Sequence, residues 1–241
     1  MKNLSLIFTL CMAALAQIAV AADPEQASGD SADKKVFYLA TRGIKDARAW
    51  FVSETVLESF MGENLYVTGQ VKYDPENKTG QVKIALDATK FDTGIELRNT
   101  HLQSSRWLDA ETYPEIIFES TEISFLETTT RDDIPTSLTV EATRYSVSGH
   151  LTIKGIKQPL DCVVESELFP AGELTRTAGF GEGDVARFKT QFPVHLPDFG
   201  IEVEEGLSGV SPQITIHFDS FASTDPQRFR DEVTKQNGSN P

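Results

Sequence analysis

The sequence predicts an all-β fold of antiparallel strands, and three observations carry that expectation. Segment after segment alternates apolar and polar residues with a period of two, short links bearing Gly or Pro join these segments, and no long helical pattern accompanies them. Alternation places side chains on opposite faces of a strand, one dry and one wet, which suits antiparallel pairing. With no helices to cover the dry faces, the strands must bury them against one another, in a barrel or a sandwich.

The elements follow in order. Lys2 precedes an apolar run from Leu4 to Val20, and Ala19-Val20-Ala21 or Val20-Ala21-Ala22 supplies small residues for cleavage. Residues 1–22 therefore read as a secretory signal peptide. Residues 23–34 are polar and aperiodic, a flexible leader. Val36 to Leu39 opens the ordered domain, expected over 35–222, with 223–241 as a charged extension. Arg48 to Glu54 is a strand whose run of apolar residues leaves its facing ambiguous, and Leu57 to Asn64 is expected to turn through a short helix.

From there the alternation is clean. Leu65, Val67, Val71 and Tyr73 share one phase, and a hairpin link over 74–80 leads to Val82, Ile84 and Leu86. Asp92, Thr93 and Gly94 form a turn into a short helix with Leu97, His101, Leu102, Trp107 and Leu108 as its apolar or semi-apolar positions. Tyr113-Pro114 ends that segment, because the residue before proline is pushed toward extended geometry. A strand through Ile116 and Phe118 returns. Val147, Leu151 and Ile153, then Leu160, Cys162, Val164 and Leu168, then Phe188, Phe192 and Val194, then Ile214, Ile216 and Phe218 continue the dry phases. Gly69 and Gly149 sit mid-strand on that phase, where a closing barrel needs sharp bends. Residues 128–141 and 170–184 are polar or glycine-rich and read as loops at a barrel end. There is no internal repeat, so a single domain is expected.

The formal net charge is −14, and loss of the signal peptide with Lys2 would make it −15. A field of that sign repels nucleic acid and anionic headgroups. Outside the signal peptide no apolar run is long enough to span a membrane as a helix. Cys11 lies in the signal peptide, so Cys162 stands alone after cleavage and no intramolecular disulfide can form. Its place in an alternating dry phase is that of a small hydrophobe.

Nothing in the chain points to catalysis. His150, His195 and His217 fall on wet phases, no metal-ligand spacing occurs, and neither a nucleophile elbow nor a phosphate-cradling glycine loop is present. No catalytic residue, metal or cofactor is therefore assigned. Arg98 and His101 differ, being three apart on the short helix. They would either meet the polar end of a ligand or lock the helix to a neighbouring loop.

Two blocks carry a resemblance. Arg98-Asn99-Thr100-His101-Leu102-Gln103-Ser104-Ser105-Arg106-Trp107-Leu108-Asp109, with Tyr113-Pro114-Glu115-Ile116-Ile117-Phe118-Glu119-Ser120-Thr121, resembles the signature of the YceI-like family of periplasmic proteins. Tyr145 to Leu160, with Gly149-His150-Leu151-Thr152 and Lys154-Gly155-Ile156-Lys157-Gln158-Pro159, resembles that family's hairpin. Gly62, Gly69 and Asp74 add a weaker match. Asn99 stands where the family usually has aspartate, and Gln103 where it usually has arginine, which weakens any ion pair there. The resemblance implies a lipocalin-like antiparallel β-barrel of about eight strands, crossed by a short helix near one end and holding an isoprenoid-type lipid.

An eight-stranded barrel has an interior that side chains just fill or that admits one small ligand. The expected ligand-facing set is Trp50, Val52, Val67, Val82, Ile84, Leu86, Ile116, Phe118, Val147, Leu151, Ile153, Phe188, Ile216 and Phe218, with Arg98 and His101 at the helix. The family comparison alone points Trp50 and Val52 inward. A lining with so few polar groups suits a polyprenol or a quinone tail. The expectation is a non-catalytic carrier or buffer, in the periplasm or secreted; whether two barrels pair as a homodimer stays open. The alternative is a secreted stress or interaction protein with a filled barrel, acting through its acidic surface and loops.

Overall fold

The computed structural model describes residues 34–42, 47–131, 139–203 and 209–225. The expected signal peptide, the leader up to residue 33 and the extension past residue 225 lie outside them. Ten strand segments are present: β1 (Lys35–Arg42), β2 (Ala47–Glu54), β3 (Ser59–Asn64), β4 (Tyr66–Asp74), β5 (Thr79–Asp87), β6 (Glu115–Arg131), β7 (Val140–Ile153), β8 (Ile156–Phe169), β9 (Val185–His195) and β10 (Gln213–Ser223). Helix α1 (Glu96–Gln103) lies between β5 and β6, and α2 (Glu173–Thr177) between β8 and β9.

Every pairing is antiparallel, and from β4 to β10 each strand pairs with the next. β1 and β2 run in the same direction along β10, at Tyr38↔Ser223 and from Ala47↔Ser220 to Val52↔Thr215. β3 and β4 then return along β2 and β1. Each of these two pairs thus acts as one long, broken stave, and the ten segments close into an eight-stranded up-and-down barrel.

The short helix expected over Leu57 to Asn64 is not formed. A turn holds this segment instead, with Thr55 N–H donating to the Glu58 carbonyl at 2.8 Å, so β3 folds straight back on β2. The loop expected over 128–141 is also shorter. Thr128 to Arg131 continue β6, and Val140 and Glu141 belong to β7, pairing as Thr130↔Glu141 and Arg131↔Val140. β-branched threonines favour an extended backbone even with no apolar phase to announce it. The Lys154-Gly155 hairpin is as expected: both residues have positive φ, as a two-residue turn requires.

Backbone approaches closely at the two expected glycines. A Cβ at Gly69 would sit 2.4 Å from the Lys83 carbonyl oxygen, and one at Gly149 2.5 Å from that of Glu119. Opposite Gly149 the β6–β7 register shifts between Ser120 and Glu122, a bulge that bends the wall. Buried residues gather in two clusters. One, with Phe51, Leu108, Ile153 and Ile201, packs with Leu102 of α1; the other, with Phe37 and Leu39 of β1 and Val67 and Val71 of β4, packs with Val82 and Ile84 of β5 and Phe188 of β9.

Candidate functional site

The dry phases of the strands do not meet in the middle. They leave a tube of about 470 Å³, bordered by residues from every strand except β3. A second chamber of about 410 Å³ lies against α1. The two share Phe91, Ile116, Ile153 and Ile216 as lining, so they adjoin across these side chains. Both volumes fall within the roughly 300–1,000 Å³ of small-molecule sites.

Most of the expected lining is where alternation places it. Val82, Ile84, Leu86, Ile116, Phe118, Val147, Leu151, Ile153, Phe188, Ile216 and Phe218 all border the tube. Val67 is buried but borders neither chamber; it packs in the wall with Phe37 and Leu39. The inward facing of Trp50 and Val52 is corrected. On β2 the buried phase is Ala47, Ala49, Phe51 and Ser53, opposite to Arg48, Trp50, Val52 and Glu54. Trp50 borders the tube, yet its ring stacks flat on His217, with centroids 4.8 Å apart, beneath the Arg48 guanidinium. Val52 borders neither chamber.

Helix α1 is held by side chains that also explain the two departures from the family pattern. Asn99 donates to Asp92 Oδ1 at 2.8 Å and accepts from the Thr93 N–H and hydroxyl. Gln103 donates to the Thr89 carbonyl at 3.0 Å. Neutral amides thus hold the helix where an ion pair would otherwise be expected. Arg98 pairs with Glu58 at 2.8 Å, its guanidinium 4.2 Å from the Phe60 ring centroid. Both Arg98 and His101 line the α1 chamber, but Arg98 locks the helix to the β2–β3 hairpin while His101 stays exposed. Exposed Leu97 lines the same chamber, which therefore reaches the surface there. Val56 and Leu57, at the tip of that hairpin, are almost wholly exposed.

The opposite end of the tube carries residues outside the expected ligand-facing set. Tyr73 and Tyr145 join hydroxyls at 3.0 Å, with Thr143, Ser166 and exposed Glu141 beside them in the lining. Both tyrosines lie on dry phases, and a buried phenol needs a partner, which was the available signal. Cys162 borders the tube half-buried, and burial pushes its thiol above the usual range, away from reactivity. Among the described residues no cluster of His, Cys, Asp and Glu could hold a metal, and no helix is long and apolar enough to cross a membrane.

Comparison with known proteins gives a consistent picture. Residues 42–222 match the YceI-like domain. The UPF0312 protein of Vibrio campbellii is 25% identical over 181 residues, covering 75% of this chain and 85% of that one. The UPF0312 protein of Photorhabdus laumondii is 26% identical over 139 residues, a match spanning 57% of this chain and 61% of the relative's own length. Among solved structures, Burkholderia cenocepacia BcnA superposes with a TM-score of 0.54 at 23% identity, covering 73% of this chain and 95% of that one. A polyisoprenoid binding domain from Saccharophagus degradans gives 0.51 at 14% identity, covering 78% and 98%. At these identities the two structures speak for the fold.

Proposed function

This chain belongs to the YceI-like family, and from that premise we propose that it is a non-catalytic carrier holding an isoprenoid-type lipid inside its barrel. The observation that carries this reading is the unfilled, apolar tube of about 470 Å³, with the α1 chamber adjoining it. A filled interior would have favoured the alternative of an interaction module acting through its surface. The printed description of the Saccharophagus degradans domain as polyisoprenoid binding supports the ligand class. Burial is worth about 0.8 kcal/mol per methylene. A polyprenyl segment of about ten such groups gains roughly 8 kcal/mol before ordering costs, which sets about micromolar as the tightest affinity that segment supplies without any charged contact. Polyprenols and quinone tails both suit such a lining. The amino-terminal sequence supports a periplasmic or secreted location.

A native mass spectrum of the purified protein tests the reading, together with a lipid extract. The expected result is a co-purifying apolar lipid, or uptake of added isoprenoid at one per chain. Ala49 faces the tube and is buried. Ala49→Trp should therefore block uptake while leaving the far-UV spectrum of the barrel unchanged. Wild-type protein that takes up no isoprenoid under any loading condition would end the carrier hypothesis.

A further inference from the structure

The tube is not uniformly greasy. Tyr73 of β4 and Tyr145 of β7 face each other at the end away from α1, with ring centroids 6.2 Å apart and planes at 80°. β5 and β6 separate these strands in the sheet, so the contact crosses the bore rather than running along the wall. A hydrogen bond between two phenols consumes one of their two O–H groups. The accepting phenol keeps a proton to donate, and both oxygens keep acceptor capacity. Burial, with the Tyr73 hydroxyl beside it, holds Tyr145 well above the usual tyrosine range, so its hydroxyl stays protonated.

We propose that this tyrosine pair is a head-group subsite for a neutral oxygen, an alcohol or a quinone carbonyl, so that the lipid lies with its oxygen here and its tail toward α1. The inference rests on the carrier reading and adds to it an orientation and a head-group class. Charge gives an anion no net advantage here. Glu141 and exposed Lys72 both border this end and offset each other, while the Lys78 ammonium lies over the Phe125 ring, 3.7 Å from its centroid. At the other end, Arg98 is engaged by Glu58 and His101 is exposed, where water competes for it.

Farnesol and farnesene share a carbon skeleton and differ by the hydroxyl, and farnesyl diphosphate supplies the anionic head. Calorimetric titration of the full chain, Tyr145→Phe and Tyr73→Phe with these probes tests the subsite. Each variant should lower the farnesol-to-farnesene affinity ratio about three- to tenfold, with farnesene itself unchanged. A ratio unchanged in both variants overturns the assignment, as does parallel weakening of both probes, which would mark a packing role. Diphosphate binding tighter than farnesol overturns the neutral class. Should Tyr145→Phe fail to fold, Tyr73→Phe, the less buried partner, decides alone. Wild-type protein that binds no probe at all condemns the carrier reading instead.

Discussion

A methyl group added at Gly149 would meet the Glu119 carbonyl oxygen at 2.5 Å and the Phe118 ring at 2.7 Å. Phe118 can turn, but the backbone of β6 cannot easily recede. Gly149→Ala should therefore destabilise the barrel by about 1–3 kcal/mol, read as a lower urea midpoint at unchanged slope. An unchanged midpoint would mean that the wall yields at its bulge. The need for glycine here was legible, because a Gly on the dry phase of a strand has few other uses. The facing of β2 was legible too, though through a different signal. The run Ala49-Trp50-Phe51-Val52 has no apolar alternation, but Arg48 and Glu54 share a phase with Trp50 and Val52, and two charges on one phase mark the wet side. Size misleads there, because Trp50 finds its partner outside, against His217.

Between residues and barrel, α1 is secured at Asp92. That backbone exchanges two hydrogen bonds with Glu63 of β3, both 2.8 Å, and the carboxylate accepts from Asn99 and from the Gly94 N–H. The Asn99 amide, and then the Gly94 N–H, hold the Asp92 carboxyl below its ordinary value of 3.8. The resulting stabilisation is complete above that ordinary value and is lost as pH falls through the lower folded value. Amide protection factors at Gly94 and in the Asn99 side chain, taken against the intrinsic exchange rate at each pH, should hold steady down to about pH 4 and fall below it. In Asp92→Asn that pH dependence should vanish; if it persists, another carboxylate governs the helix. On the outer wall, Arg131 of β6 reaches across β7 to Glu167 of β8, which also meets Lys189 of β9 at 3.3 Å. Glu167 is only 3% exposed, so Glu167→Ala leaves poorly solvated cations behind and should cost about 3 kcal/mol in chemical denaturation. A loss below about 1 kcal/mol would place the cluster among ordinary surface pairs. The Asp92 turn into α1 was readable beforehand, but the Glu167 cluster was not: polar threonines hid the far half of β6, and without that register Arg131 and Glu167 have no reason to meet.

For the molecule as a whole, alternation predicts dry faces but does not distinguish a barrel from a sandwich, since both bury one face of each strand. The distinction lies in pairing at long range, where β10 meets both β1 and β2. An unfilled bore adds no packing energy of its own, so occupancy should stabilise the ring by mass action. Free isoprenoid at about a hundred times its dissociation constant should add about 2.7 kcal/mol and raise the melting temperature. Ala49→Trp should show no such rise, and a rise in it equal to wild type would place the ligand outside the bore. The junction at β10 has a further consequence, for the chain in the act of being made. Translation delivers this strand late, and until it arrives β9 on one flank and β1 with β2 on the other present naked rows of amide and carbonyl groups. The nascent polypeptide is thus adhesive along two borders for most of its synthesis, and the pairing that heals them joins Tyr38 to Ser223. Its yield in a cell should then depend on escorts that mask strand borders more than on the final strength of the closed ring.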